Sequence, residues 1–156
     1  MIAEELSYRK ATINDLPRII DLLSQDRLGA GRENPNDFES YRQIFKEIDS
    51  NPNHFLMVVE IKDFIVATCH LTILPYLSHC GARRLQIESL HVSEQIRSQG
   101  VGKWVLDQAI HWGKQYGAKK VQLTTNRTRL DSHRFYERFG FTPSHFGMKL
   151  SIDDKL

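Results

Sequence analysis

The sequence predicts an α/β domain in which a mixed, mostly antiparallel central sheet carries about four helices. Three observations lead there. Two runs of alternating apolar residues, 55–61 and 65–73, flank a two-residue Lys62-Asp63 turn, which reads as a β-hairpin. Four other stretches repeat their apolar residues at helical spacing between capping or breaking residues. The elements follow in the order strand, two helices, three strands, helix, strand, helix, strand, which suits helices laid on a sheet.

Residues 6–11 (LSYRKA) read as a short strand. Thr12 then offers a helix N-cap with Asp15 three residues on, and Ile13, Leu16, Ile20 and Leu23 share one face, so 13–25 is an amphipathic helix. Gly29-Ala30-Gly31 ends it in a loop. Asn34-Pro35 starts a second helix, a capping Asn with Pro at the first helical position, whose buried face is Phe38, Tyr41, Phe45 and Ile48. The SNPN stretch at 50–53 breaks it, and the hairpin follows. Residues 77–82 are a loop and 83–92 (RRLQIESLHV) a third strand. Val101, Trp104, Val105, Ala109 and Trp112 mark a helix that Gly117 closes. A strand over 119–125, a short helix over 131–140 between Asp131 and Gly140, and a final strand over 148–152 complete the chain. With no repeat, low-complexity tract or linker, one domain over 1–156 is expected.

Composition narrows the function classes. Lys plus Arg is 21 against 19 Asp plus Glu, and the basic residues are scattered, which argues against a nucleic-acid partner. No apolar run approaches ~18 residues, so no membrane partner is expected. The first ten residues have neither the basic nor the apolar region of a signal peptide. Cys69 and Cys80 form no CxxC pair, and the histidines have no metal-ligand spacing, so no metal is expected. A cytoplasmic protein with reduced thiols is the expectation.

The chemistry concentrates between 85 and 103. Arg97-Ser98-Gln99-Gly100-Val101-Gly102, followed by Lys103, lies between a strand and a helix. A helix N-terminus favours an anion, and glycine lets backbone approach a phosphate closely. The loop is not a Walker A motif, because Trp104 stands where a hydroxyl is needed, and not a dinucleotide fingerprint, because Val105 stands where a third glycine is needed. The alternative for these six residues is a tight turn with Arg97 in solvent. The strand before the loop has a phase slip: Leu85 and Ile87, then Leu90 and Val92, are spaced two, three, two. A slip of one flips side chains to the other face, so a β-bulge is expected near Glu88-Ser89. Glu88 sits at that bulge, and an acidic residue amid an apolar strand is either functional or turned outward.

At this point the sequence resembles the GNAT superfamily of acyl-CoA-dependent N-acyltransferases. The resemblance rests on QIESLHVSEQIRSQGVGKWVLDQAI and NRTRLDSHRFYERFGF. It implies a sheet splayed open at the bulged strand, with acetyl-CoA as co-substrate. Residues 97–103 would hold its pyrophosphate, and Leu90, His91 and Val92 would pair with its pantetheine arm. Tyr136 matches the family tyrosine that protonates the leaving thiolate, Phe135 would line the same region, and Asn126 would bond the pantetheine. The family's spacing before that tyrosine is altered, since Arg129 and Ser132 stand where Asn and Ala are usual.

The implied activity is transfer of an acetyl group to a primary amine of a small molecule or peptide, by direct attack. Glu88, partly buried in the splayed cleft, is the candidate general base, and a bulge N–H the oxyanion donor. Tyr136 as plain core, and His91 as a second base or an ordinary strand residue, stay open. The acceptor side falls to 24–37 and 77–84, where Arg27, Arg32, Glu33 and Asp37 offer both charge signs. A catalytically idle acyl-CoA-binding regulatory module is the alternative. The resemblance also admits a homodimer, with the C-terminal strand pairing across two chains.

Overall fold

The structure is a computed structural model that describes residues 2–153. The chain separates into two compact units on either side of Leu123-Thr124.

The first unit holds a five-stranded sheet in the order β1-β2-β3-β4-β5. The strands are β1 (Leu6–Lys10), β2 (His54–Ile61), β3 (Phe64–Leu74), β4 (Arg83–Val92) and β5 (Ala118–Gln122). The first four pair antiparallel in sequence order, and β4 pairs parallel with β5, so the sheet is mixed and mostly antiparallel as expected. The β2–β3 hairpin closes through Lys62 (φ 49°) and Asp63 (φ 65°). Positive φ at both turn residues gives the tight reversal whose twist matches the strands.

Helices α1 (Leu16–Ser24), α2 (Arg27–Arg32) and α3 (Phe38–Ser50) precede the hairpin, a single turn α4 (Ser78–Gly81) precedes β4, and α5 (Val101–Gln115) joins β4 to β5. On one face of the sheet, Met57, Cys69, Leu71, Leu85 and Ile87 bury themselves with Val105, Leu106, Ala109 and Trp112 of α5. On the other, Leu16, Ile19, Ile20, Leu22, Phe45, Val58 and Ile65 form the core under α1 and α3. The predicted Thr12/Asp15 capping box opens the first helical segment, Thr12 N–H donating to Asp15 Oδ2 at 2.7 Å. Arg9 clamps the same carboxylate at 2.7 and 3.0 Å, and these hydrogen bonds hold Asp15 below the usual carboxylate range.

Several boundaries differ from the sequence reading, each for a local reason. Gly29 and Gly31 lie inside α2 rather than in a loop, because the Asp26 side chain caps it through Gly29 N–H at 2.6 Å. Gly29 is required there, since a Cβ would sit 1.8 Å from the Leu23 carbonyl oxygen. Gly29→Ala is therefore expected to destabilise the fold by about 2–3 kcal/mol, read as a lowered midpoint in thermal unfolding. Helix α3 starts at Phe38, not at Pro35, because Asp37 rather than Asn34 caps it, through Ser40 N–H at 3.4 Å. Asn34 instead closes a turn with Asp37. Phe38, expected in the core, is 38% exposed in the first turn of α3. The strand expected over 119–125 runs from Ala118 to Gln122, so 123–125 lie beyond it.

The second unit is built on α6 (Leu130–Phe139), which Gly140 ends at φ 123°. Arg129, not Asp131, is its N-cap residue. The strand expected over 148–152 is absent: Met148, Leu150 and Ile152 are about nine-tenths exposed (92%, 89% and 94%). Their alternation has the strand period, but a strand needs a hydrogen-bonded neighbour, and none pairs there among the described residues.

Candidate active site

The site is built around a fault in β4. His70 of β3 lies opposite Glu88, and Thr68 lies opposite His91. Ser89 and Leu90 therefore face Cys69 alone, which is a β-bulge, and Ser89 takes φ 51° to make it. The bulge is where the two-three-two spacing demanded it, and it keeps Leu85 and Ile87 in the core. On the other side of β4, pairing with β5 stops at Gln86 opposite Gln122. Among the described residues, 87–92 have no strand partner on that side, in keeping with the expected splay. Leu90, His91 and Val92 lie along this open edge, where backbone groups can accept an added strand.

Opposed residues in a sheet share a face, so Glu88 and His70 lie on the α1/α3 side. Glu88 is exposed rather than partly buried, because the sheet ends beside it. A polar row leads to it across the sheet. Arg84 donates to Gln122 Oε1 at 3.3 Å, Gln122 to Gln86 Oε1 at 2.9 Å, and Gln86 to Glu88 Oε1 at 3.0 Å. His70 Nε2 lies 2.8 Å from His54 Nδ1, and Thr72 Oγ1 lies 3.3 Å from that same nitrogen. Burial, helped by the neighbouring His54, pushes His70 down to about 4, so its imidazole is neutral at pH 7.

That shift has a consequence for stability. The unfolded chain binds a proton at His70 below about 6.5, while the folded chain resists it until about 4. Stability from this source is complete above 6.5 and falls as pH drops through that window. His70→Gln is expected to flatten the fall of the melting temperature between pH 6.5 and 4, as measured by thermal unfolding across that range.

The loop after β4 continues the edge. Arg97 Nε donates to the Val92 carbonyl at 3.2 Å, and its NH1 lies 4.0 Å from Glu94 Oε1, so Arg97 folds back on the strand end. Ser98 (φ 64°) and Gly100 (φ 83°) then turn the chain into α5, whose N-cap is Gly100 itself. Ser98, Gln99 and Gly100 are exposed, Gly102 is half-buried, and Val101 is anchored in the core. Lys103 pairs with Asp107 at 2.8 Å. The result is an exposed turn at the N-terminus of a 15-residue helix with a side-chain-free cap, an arrangement that favours an anion.

The remaining candidates lie in the second unit. Tyr136 and Phe135, both half-buried, meet edge to face at 5.1 Å, and Tyr136 meets Phe141 at 5.7 Å. Asn126 lies past the end of β5. Its side-chain oxygen accepts from Thr128 N at 3.0 Å and Thr128 Oγ1 at 2.8 Å, which shapes the turn before α6. The structure thus groups Glu88, Leu90–Val92 and 97–103 in the first unit, and Asn126, Phe135 and Tyr136 in the second.

On the acceptor side, the charged residues of 24–37 have local partners or face solvent. Glu33 accepts from the Tyr41 hydroxyl at 2.6 Å, Asp37 caps α3, and Arg27 and Arg32 are exposed. His91 Nδ1 lies 3.4 Å from Asp26 Oδ2, joining β4 to the cap of α2. Beside them a cavity of about 120 Å³ opens between α1, α3 and the sheet, reaching Ser89 and His70. The sequence reading missed His54 and His70. The two histidines share a face only because the register shifts between Val59 and Glu60, which counting back from the Lys62-Asp63 turn does not reveal. Among the described residues, no helix is long and apolar enough to cross a membrane.

Comparison with known proteins bears on family and fold. The model of the acetyltransferase (GNAT) family matches residues 16–141. An uncharacterized N-acetyltransferase, YhdJ, of Bacillus subtilis (strain 168) is 33% identical over 107 residues, 68% of this chain and 74% of that protein. The aminoalkylphosphonate N-acetyltransferase of Salmonella typhimurium (strain LT2) is 31% identical over 115 residues, 73% of each chain. The crystal structure of a transcriptional regulator from Bacillus halodurans C-125 superposes with a TM-score of 0.90 at 36% identity, covering 94% of this chain and 99% of that one.

Proposed function

The chain belongs to the GNAT family of acetyltransferases, and from that premise we propose that it transfers an acetyl group from acetyl-CoA to a primary amine. The observation that carries the reading is the continuity of one edge. The β4 bulge, the part of β4 beyond its pairing with β5 and the turn at 97–102 follow one another along a single stretch of backbone. That edge suits an extended molecule with an amide-bearing arm and a polyanionic end. The family match over 16–141 runs through both units and supports treating 1–156 as one such domain.

Acetyl-CoA supplies the acetyl thioester. In this reading the amides at 100–103 and the helix dipole bind its pyrophosphate, and Leu90, His91 and Val92 pair with its pantetheine. Glu88 removes the proton that keeps an amine from attacking. The nitrogen lone pair forms the new C–N bond, and an N–H at the bulge stabilises the oxyanion that results. Collapse breaks the C–S bond, and the Tyr136 hydroxyl gives its proton to the departing thiolate. Asn126 and Phe135 border the same end of the pantetheine.

Tyr136→Phe tests the acid. It keeps the ring contacts with Phe135 and Phe141, so the expected result is a kcat lower by about 10- to 100-fold with unchanged acetyl-CoA affinity. Steady-state rates and calorimetry read the two separately. A second reading, a regulatory module that binds acyl-CoA without turnover, is favoured by the name of the Bacillus halodurans relative. Release of CoA in the presence of amines decides between them: sustained turnover excludes the idle module, and tight binding without turnover supports it.

A further inference from the structure

We propose that the acceptor amine carries a compact, uncharged apolar body that fills the cavity between α1 and α3, with its nitrogen at the Ser89/His70 end. The inference rests on the acetyltransferase reading and names its substrate class.

The cavity holds about 120 Å³, somewhat below the ~150 Å³ apolar cavity that accommodates benzene. Its walls are side chains such as Ile19, Leu23, Phe45, Ile48 and Leu56, and among the described residues no Asp, Glu, Lys or Arg lines it. The polar lining groups add no charge. Thr68 Oγ1 donates to the Met57 carbonyl at 2.9 Å, and the Tyr41 hydroxyl to Glu33 at 2.6 Å. His70 is held uncharged against His54. A phosphonate, phosphate or carboxylate placed there loses its hydration and gains no counter-ion.

The polar end of the cavity is also its reactive end. Ser89 is the bulge residue, and His70 lies opposite Glu88 on the same face. An amine nitrogen at this end meets the proposed base, while its carbon body points away between the two helices. The aminoalkylphosphonate relative is named for an acceptor with an anionic group. The uncharged cavity separates this chain's acceptor from that class.

The test is a homologous series. CoA release is measured with ethylamine, butylamine, isoamylamine and benzylamine, and with 2-aminoethylphosphonate, alongside calorimetric titration of acetyl-CoA. Each added methylene is expected to raise kcat/KM about fourfold until the cavity is full, with the phosphonate the poorest acceptor. Isoamylamine titrated into the CoA-saturated protein should give measurable heat. Ile48→Phe, which fills the cavity, should raise KM for isoamylamine at least tenfold without changing acetyl-CoA affinity. If that variant does not fold, Ile44→Lys, at a half-exposed lining position, should do the same through charge.

A flat series, no turnover of the alkylamines, or a preference for the phosphonate overturns the proposal while leaving acetyl-CoA binding in place. Failure of acetyl-CoA itself to bind removes the acetyltransferase reading and this proposal with it.

Discussion

Gly100→Asp is expected to weaken acetyl-CoA binding by about 100-fold or more while leaving the protein folded. Gly100 takes φ 83°, and a Cβ built there meets nothing within 4 Å. The protein therefore does not collide with the new side chain, and aspartate tolerates this conformation better than most residues. Its carboxylate would be carried at the start of α5, next to the helix's first amides. Those are the amides proposed to hold the pyrophosphate, and the substitution sets a fixed anion where a mobile one must bind. Gly100→Ala is the control. It adds the backbone cost, about 1 kcal/mol, without the charge, and so should weaken binding tenfold at most. Calorimetry on the three proteins, with thermal unfolding to establish folding, makes the comparison. Equal affinity for wild type and Gly100→Asp means that the turn is only a turn.

Glu88→Gln is expected to lower kcat by about 10²- to 10³-fold, with acetyl-CoA affinity within twofold of wild type. The side chain is exposed, and glutamine keeps an oxygen to accept the bond from Gln86, so folding is not at issue. What goes is the group that takes the amine's proton. The variant's rate should then follow the fraction of amine that is already neutral, rising about tenfold per pH unit below the amine's own pKa. Wild type should rise far less steeply. An unchanged kcat moves the base elsewhere on this face, and His70, opposite Glu88, is the first residue to examine.

Much of this was legible in the sequence because it follows from local periodicity. The phase slip between Ile87 and Leu90 located the bulge, since only an extra residue keeps both flanking pairs on their faces. The Lys62-Asp63 turn located the hairpin, while its register beyond Glu60 depends on a one-residue shift at Val59-Glu60 that the turn does not encode. The acceptor side was not legible in the same way. Two glycines in six residues argue against a helix, yet α2 forms because Asp26 caps it and Gly29 fits against the Leu23 carbonyl. The cavity depends on how α1 and α3 cross the sheet, which spacing does not encode. The His54–His70 contact joins residues 16 apart in the chain, and each histidine alone looked ordinary. At the C-terminus the period suggested a strand, but period specifies a face, not a neighbour, and no strand formed.

The bulge has one further consequence, for which changes this segment tolerates. The bulge depends on the number of residues between Glu88 and His91 more than on which side chains stand at 89 and 90. Ser89 already sits at φ 51°, so glycine or asparagine should serve there as well. Removing either Ser89 or Leu90 is a different event. It restores an unbroken ladder with β3, closes the gap in phase, and shifts every residue from His91 to the cap of α5 by one position along the edge. Ser89→Gly and Ser89→Asn should therefore pass almost unnoticed in a mutational scan, while a one-residue deletion at the same place stands out as sharply as loss of the loop itself.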